Sequence, residues 1–446
     1  MKVQPIFSAN ETERALAAAY GAAAGRLPGA GDERLAALRE RSIARFEATG
    51  LPHRRLETWK YTDLRGILRE LPEQGAVPSD RPDLAELPLA RAFAALTPHW
   101  LVFVDGRFRP ELSGGAAPGA GVTVRALSDG AVPDWALAEL TRTDAGEIDA
   151  VFDLNTALMA DGALIHVGEG VDAGAPIAIL HLGESAGTRH LRHVVVVEEG
   201  ARLALAEAYG GPGAGLVTAS ALWRIGDGAT VDHVKVQAIA SGATHLAPQL
   251  GAVGAHARFS TFTLSLGAGL AREERRVTCA GEASTVSVSG AYFLDGKAHG
   301  DTTLVVTHTA PGCTSRERFK GLVGDHARGV FQGAVIVERG AGKTDARQSV
   351  DALLLSDDAR HDAKPELEIY ADDVQCGHGA TTGELDRNAL FYLRARGIAK
   401  PEAERLLIAA FLDDGLSAVE HDGFRAALGA LAAARLAARD RGASDA

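Results

Sequence analysis

One short stretch, Cys376-Gly377-His378, pairs two metal-ligating side chains at a spacing of two. In an extended segment, residues i and i+2 project to the same side. A thiolate and an imidazole so placed supply two ligands to iron or another soft or borderline metal, but not a complete set. The open positions suit a partner chain, a labile iron or an iron–sulfur cluster. A structural role is also open: Cys376 as a small buried residue and His378 as the cap of a following helix. Spacing alone favours that role. Gly377 and Gly379 count against it, because they leave the two side chains little local packing.

The other candidates carry less chemistry. Only three cysteines occur, and none forms a C-x-x-C pair, so neither a cysteine-rich zinc site nor a disulfide scaffold is expected. Cys279 sits where related segments have Val, Ile or Leu, and reads as core. Cys313 follows Ala310-Pro311-Gly312 and is expected in an exposed turn. His256 and His326 fall in turn positions where polar residues recur. Trp59-Lys60-Tyr61-Thr62 is either a packed loop or a contact surface. There is no P-loop, no G-x-S-x-G elbow, no H-E-x-x-H and no helix-opening dinucleotide fingerprint.

These residues must be held by elements of three textures. Residues 1–98 read as helical, with Asp32 capping a helix to about Ala48 that buries Leu35, Leu38 and Phe46. Residues 99–163 form a hairpin around Asp105-Gly106 and a connecting segment. From 164 to 374 the chain is rich in β-formers and glycine turns, and a short phrase recurs: Val197-Glu-Glu-Gly-Ala201, Ile225-Gly-Asp-Gly-Ala229, Val253-Gly-Ala-His-Ala257, Cys279-Ala-Gly-Glu-Ala283, Val323-Gly-Asp-His-Ala327 and Leu355-Ser-Asp-Asp-Ala359. Its alanines are spaced by 28, 28, 26, 44 and 32 residues. A strand, a tight turn needing small or left-handed residues, then a new strand is the signature of stacked coils. The chance alternative is a β-sandwich. The spacing of 44 reads as a loop inserted around 295–320. Residues 375–446 read as a C-terminal helical region with a disordered tail over 440–446. Within it an amphipathic helix over 384–396 ends at Gly397. A second helix from Pro401 carries the stripe Ala403, Leu406, Leu407, Ala410 and Phe411.

Composition bounds the function. The 446 residues are 46% hydrophobic and 23% charged, which fits a folded protein. The net charge of −12, without a strong basic patch, opposes binding to nucleic acid or anionic membranes. No apolar run is long enough for a membrane helix, and the N-terminus lacks the form of a signal peptide. A reducing cytoplasm is the expected location.

Three segments together resemble the SufD family of iron–sulfur cluster assembly proteins. They are Glu57-Thr-Trp-Lys-Tyr-Thr-Asp-Leu64, then Lys364-Pro-Glu-Leu-Glu-Ile-Tyr-Ala-Asp-Asp-Val-Gln-Cys-Gly-His-Gly-Ala-Thr-Thr-Gly-Glu-Leu-Asp386, then Ala389-Leu-Phe-Tyr-Leu-Arg-Ala-Arg-Gly-Ile398. Glycines flank His378, as in SufD; the SufB paralogue has acidic residues there. The resemblance implies a mainly β fold, a right-handed parallel β-helix flanked by N- and C-terminal helical regions. It implies a non-enzymatic scaffold that pairs with SufB through the β-helix, or with a second copy of itself in isolation. It implies binding of the ATPase SufC through the C-terminal helices. Cys376 and His378 would then serve a transient iron or cluster site shared across an interface. The rivals are SufB's role as main scaffold and a β-helix enzyme acting on polysaccharides. The absent signal peptide and the 5% aromatic content argue against the enzyme.

Overall fold

The computed structural model describes residues 9–73, 75, 82–142 and 149–444, with side chains through residue 439. Its centre is a two-sheet parallel solenoid. One sheet stacks His99–Val104, Ile177–Leu182, Arg202–Gly210, Thr230–Gln237, Arg258–Ser265, Thr285–Leu294, Thr314–Val323, Asp345–Leu354 and Gln375–Gly383. The other stacks Ala163–Val167, Gly187–Val197, Gly215–Ile225, Ala243–Val253, Leu270–Cys279, His299–His308, Arg328–Val337 and Arg360–Ile369. The chain alternates between the sheets, so each coil contributes one rung to each. The expected hairpin is present, with Phe103 opposite Phe108 and positive φ at Asp105 and Gly106. Its first strand joins the solenoid, pairing in parallel with Ile177–Leu182.

The recurring phrase is a corner. Its fourth residue adopts a left-handed conformation, at Gly200 (φ 63°), Gly228 (φ 64°) and His256 (φ 55°). The next residue, Ala201, Ala229 or Ala257, is buried where the second sheet hands over to the first. Only a small inward side chain fits between the sheets at so tight a bend. The column continues through Ser284, Cys313 and Thr344, all buried, each after a left-handed Ala283, Gly312 or Lys343. Ala327 and Ala359 lie at the opposite corner, before Arg328–Val337 and Arg360–Ile369. The spacing of 44 is therefore a coil and a half. No loop is inserted at 295–320; that segment holds two regular rungs, His299–His308 and Thr314–Val323.

Helices cover the outer faces. Glu11–Ala23, Glu33–Thr49, Asp134–Arg142 and Ala150–Leu158 pack on the second sheet. Asp32 caps the second of these, and Leu35, Leu38 and Phe46 are buried as expected. Pro88–Ala94, Lys400–Leu416 and Asp422–Ser444 pack on the first sheet. The last helix runs to Ser444, where a disordered tail was expected from 440; residues 445–446 lie outside the described residues.

The Trp59 segment is a packed loop. Trp59 is buried, its Nε1 donates to Asp149 (2.7 Å), and the Arg272 guanidinium lies 3.9 Å over its ring. Arg272 is itself paired with Asp301 (2.5 Å). Burial, then the neighbouring Glu274 carboxylate, pushes the Asp149 carboxyl up to about 6. Thr62 reaches His299 (2.9 Å) and Asp301, and Glu57 meets Lys364 (2.6 Å). The segment thus clamps the N-terminal helices across several rungs. Trp59→Ala should cost about 3–5 kcal/mol in denaturant unfolding. Limited proteolysis should then cut within residues 9–73 before it cuts the solenoid.

Candidate functional site

Cys376 and His378 lie on Gln375–Gly383, the last rung of the first sheet. Sequence reading ended the solenoid at 374 and placed both residues in the helical region. The rung pairs instead in parallel with Asp345–Leu354, with Cys376 beside Ala346 and His378 beside Gln348. Glycine, alanine and threonine over 377–383 give no helical stripe. The ready-made edge of the preceding rung decides their conformation.

The alternation of a strand aims Cys376 and His378 to one side, roughly 6.6 Å apart along the chain. They continue two inward columns. Ala346 and Ser315 lie beneath Cys376, and Gln348 and Glu317 beneath His378. Cys376 is half-buried against an apolar plug of Val335, Val337, Ala341 and Ala346. His378 is exposed, so it does not cap a buried helix end. The helix that follows, Arg387–Ala395, is capped by Asp386. With Gln348, Arg347 and Ser349, the two residues line an open concavity of about 580 Å³.

Electrostatics separates the groups. Partial burial, with the Asp345 and Glu317 carboxylates nearby, pushes the Cys376 thiol up. It is therefore protonated at neutral pH and must release a proton to bind metal. Burial pushes the Glu317 carboxyl up to about 7. The Gln348 amide, 2% exposed, has no hydrogen-bond partner among the described residues. No group of three or more His, Cys, Asp or Glu among the described residues is arranged to hold a metal. The pair can offer two ligands and accept the rest from elsewhere.

A polar chain ties this rung to the C-terminal helices. Asp414 contacts Lys320 (2.9 Å), Lys320 contacts Asp351 (2.9 Å), and Asp351 accepts from Thr381. The predicted stripe on Lys400–Leu416 is rotated. The buried residues are Ala403, Ile408, Leu412, Gly415 and Leu416. Leu406 and Ala410 face a groove against Asp422–Ser444. Both faces of this helix are apolar, so periodicity alone could not choose between them. Phe391 and Tyr392, on Arg387–Ala395, are 74% and 56% exposed, and sequence reading had not singled them out. No residue of that helix is buried, which an amphipathic sequence pattern does not reveal.

A family model described as the SufBD core domain of the SUF system for FeS cluster assembly matches residues 181–411, and one for the SufBD N-terminal region matches 11–179. The chain belongs to the SufBD family. It is 31% identical to the iron–sulfur cluster assembly protein SufD of Escherichia coli K12, over 84% of this chain and 87% of that protein. It is also 31% identical to a SufBD family protein of Synechocystis, over 83% of this chain and 84% of that one. SufD of Bacillus subtilis matches at 31% identity over 58% of this chain and 60% of its own length. The chain is thus a SufD-like iron–sulfur cluster assembly protein. The core match spans Cys376 and His378 and stops short of the Ala-rich helix Asp422–Ser444. No helix among the described residues is long and apolar enough to cross a membrane.

Alkylation of Cys376 in the folded chain should be slower at pH 8 than that of a free thiol. Its rate should rise with a midpoint above the ordinary value of about 8.5. A Cβ added at Gly377 or Gly379 meets nothing within 4 Å. Gly377→Ala and Gly379→Ala should therefore shift thermal stability by no more than about 0.5 kcal/mol.

Proposed function

We propose that this chain is a non-enzymatic scaffold subunit of the SUF assembly complex. In this reading it pairs with SufB through the open end of its solenoid and binds the ATPase SufC through its C-terminal helices. It works in the cytoplasm, in line with its acidic charge and the absence of a membrane-spanning helix among the described residues. The observation that carries the reading is the terminal rung. Gln375–Gly383 ends its sheet, its side chains are largely exposed, and a thiol and an imidazole stand on it side by side. Exposed strand edges are ordinarily blunted or covered. This one carries glycines instead of charges.

A partner seated on that edge would bring the missing ligands. Iron and sulfide are then cargo held by residues of two chains, with Cys376 and His378 the contribution from this one. Imidazole and thiolate both suit iron, and incomplete ligation by one chain suits a cluster that must later leave. Phe391 and Tyr392 supply aromatic anchors of the kind that dominate binding energy at interfaces. The chain Asp414–Lys320–Asp351–Thr381 gives movement at those helices a polar route to the terminal rung.

Co-expression with SufB and SufC from the same cell tests the proposal. The three chains should co-purify, and the complex should gain iron and sulfide under anaerobic assembly. His378→Ala should keep the complex but lower bound iron roughly tenfold or more, since even outer-shell partners of a metal ligand matter on that scale. Undiminished iron and sulfide in that variant would remove the metal role and leave an adaptor. Phe391→Ala should weaken SufC retention by about 2 kcal/mol while SufB stays bound. Purification of this chain alone, with neither partner, would count against the whole reading.

A further inference from the structure

The terminal rung has little of its own to fix its register. Gln375–Gly383 holds no large apolar residue, and of its side chains only Cys376 is even half-buried. A Cβ at Gly377, Gly379 or Gly383 meets nothing within 4 Å. Register is strongly specified where a strand buries one apolar face, and weakly specified in glycine-rich, polar strands. A slip of one residue would turn every side chain to the other face, Cys376 and His378 included.

Two hydrogen bonds at the far end of the rung mark its register, one on each face. Successive residues of a strand point to opposite faces. Thr382 shares the inward face with Cys376 and His378, and its Oγ1 is hydrogen-bonded to His361 Nδ1 at 2.9 Å. His361 lies on Arg360–Ile369, and its Nε2 is hydrogen-bonded to the Tyr292 hydroxyl at 2.6 Å. Tyr292 is buried three rungs below, and its column continues through Gly321 and Ala352 to Thr382. A Cβ at Gly321 would collide with the Tyr292 ring, and one at Gly329 would lie 3.1 Å from it. Glycines on both sheets thus leave the ring room to reach His361. On the outward face, Thr381 donates to Asp351. Lys320 holds Asp351 at 2.9 Å and also holds Asp414 of Lys400–Leu416 at 2.9 Å.

The flanking residues make this pair of bonds specific. Ala380 precedes Thr381, and Gly383 follows Thr382. A slip of one residue in one direction puts Thr382 before Asp351 and Gly383 before His361. The opposite slip puts Thr381 before His361 and Ala380 before Asp351. Either way one bond is lost, and a slip of two residues loses both. We propose that Thr381 and Thr382 are positioning residues: held by Asp351 outside and by His361 on Tyr292 inside, they set the register of the terminal rung and so turn Cys376 and His378 inward. The proposal deepens the assembly reading and rests on it for the role of those two residues.

The test compares two double variants of the full chain. Thr381→Val with Thr382→Val removes both hydroxyls at nearly constant shape; Thr381→Ser with Thr382→Ser keeps them. Both positions are exposed, and valine favours strands, so the rung should stay paired. Alkylation of Cys376 by iodoacetamide at pH 8 is followed by mass spectrometry, and amide exchange is followed over 375–383. The valine variant should alkylate about tenfold faster, the shift in population expected from two lost hydrogen bonds of ordinary strength. Its amides should stay protected, because a slipped strand is still paired. The serine variant should keep the slow rate. The proposal is overturned if the valine variant alkylates no faster, or if the serine variant speeds up equally. It is also overturned if faster alkylation comes with loss of amide protection, since the rung would then melt and not slip. None of these readouts involves iron or a partner. Failure here leaves the assembly role to stand or fall on His378→Ala, and failure there leaves the register intact.

Discussion

Everything in this molecule depends on a bend that must be made in almost the same way in every coil. Parallel strands pair only when each coil returns the chain to the same height, about 4.8 Å above the last. The bend uses one left-handed residue and one small buried residue, repeated from Gly200-Ala201 to Lys343-Thr344. With the corner kept, side chains stack in columns, and a residue's height and direction follow from its place in the coil. Ala346 and Cys376, or Gln348 and His378, are neighbours for that reason alone.

Columns of this kind end abruptly. Beneath the last rung, Gln348 and Glu317 are buried; on it, His378 is exposed. The helices cover the outer faces of the two sheets, and none among the described residues packs over this end. An uncovered parallel edge presents unpaired backbone groups, a feature that proteins retain where another surface is to meet it. The interior is not uniformly apolar either. Glu207, His193, Tyr209, Lys235 and Glu273 are buried together, with Lys235 paired to Glu273 at 2.7 Å and His193 Nδ1 accepting from the Ala163 backbone (2.9 Å). Such a cluster holds only because the stacked rungs place opposite charges and donors within reach of each other.

The repeat was legible because corner chemistry is local: left-handed backbone and small volume restrict residue type wherever they occur. Its phase was not. Ala283 and Ala327 read as one series, yet they serve opposite corners, and the apparent insertion disappears once Cys313 and Thr344 are placed in the first. The left-handed positions that align the coils include Ala283 and Lys343, residue types that do not announce a positive φ, so the interior place of Cys313 was not legible. The helix Lys400–Leu416 failed for a related reason. Apolar residues line both of its faces, and which one meets the solenoid is settled by Lys320 holding Asp414.

The sequence by itself determined the coil, the cap at Asp32, the hairpin at Asp105-Gly106 and the shared direction of Cys376 and His378. Each rests on interactions among residues near in the chain. Only the tertiary structure decided that these two residues belong to the last rung, that Trp59 is a clamp under Arg272, and that Cys313 is buried at an inward corner. Those facts depend on which surfaces meet across coils. A pattern two or four residues long carries no information about what lies one coil above it.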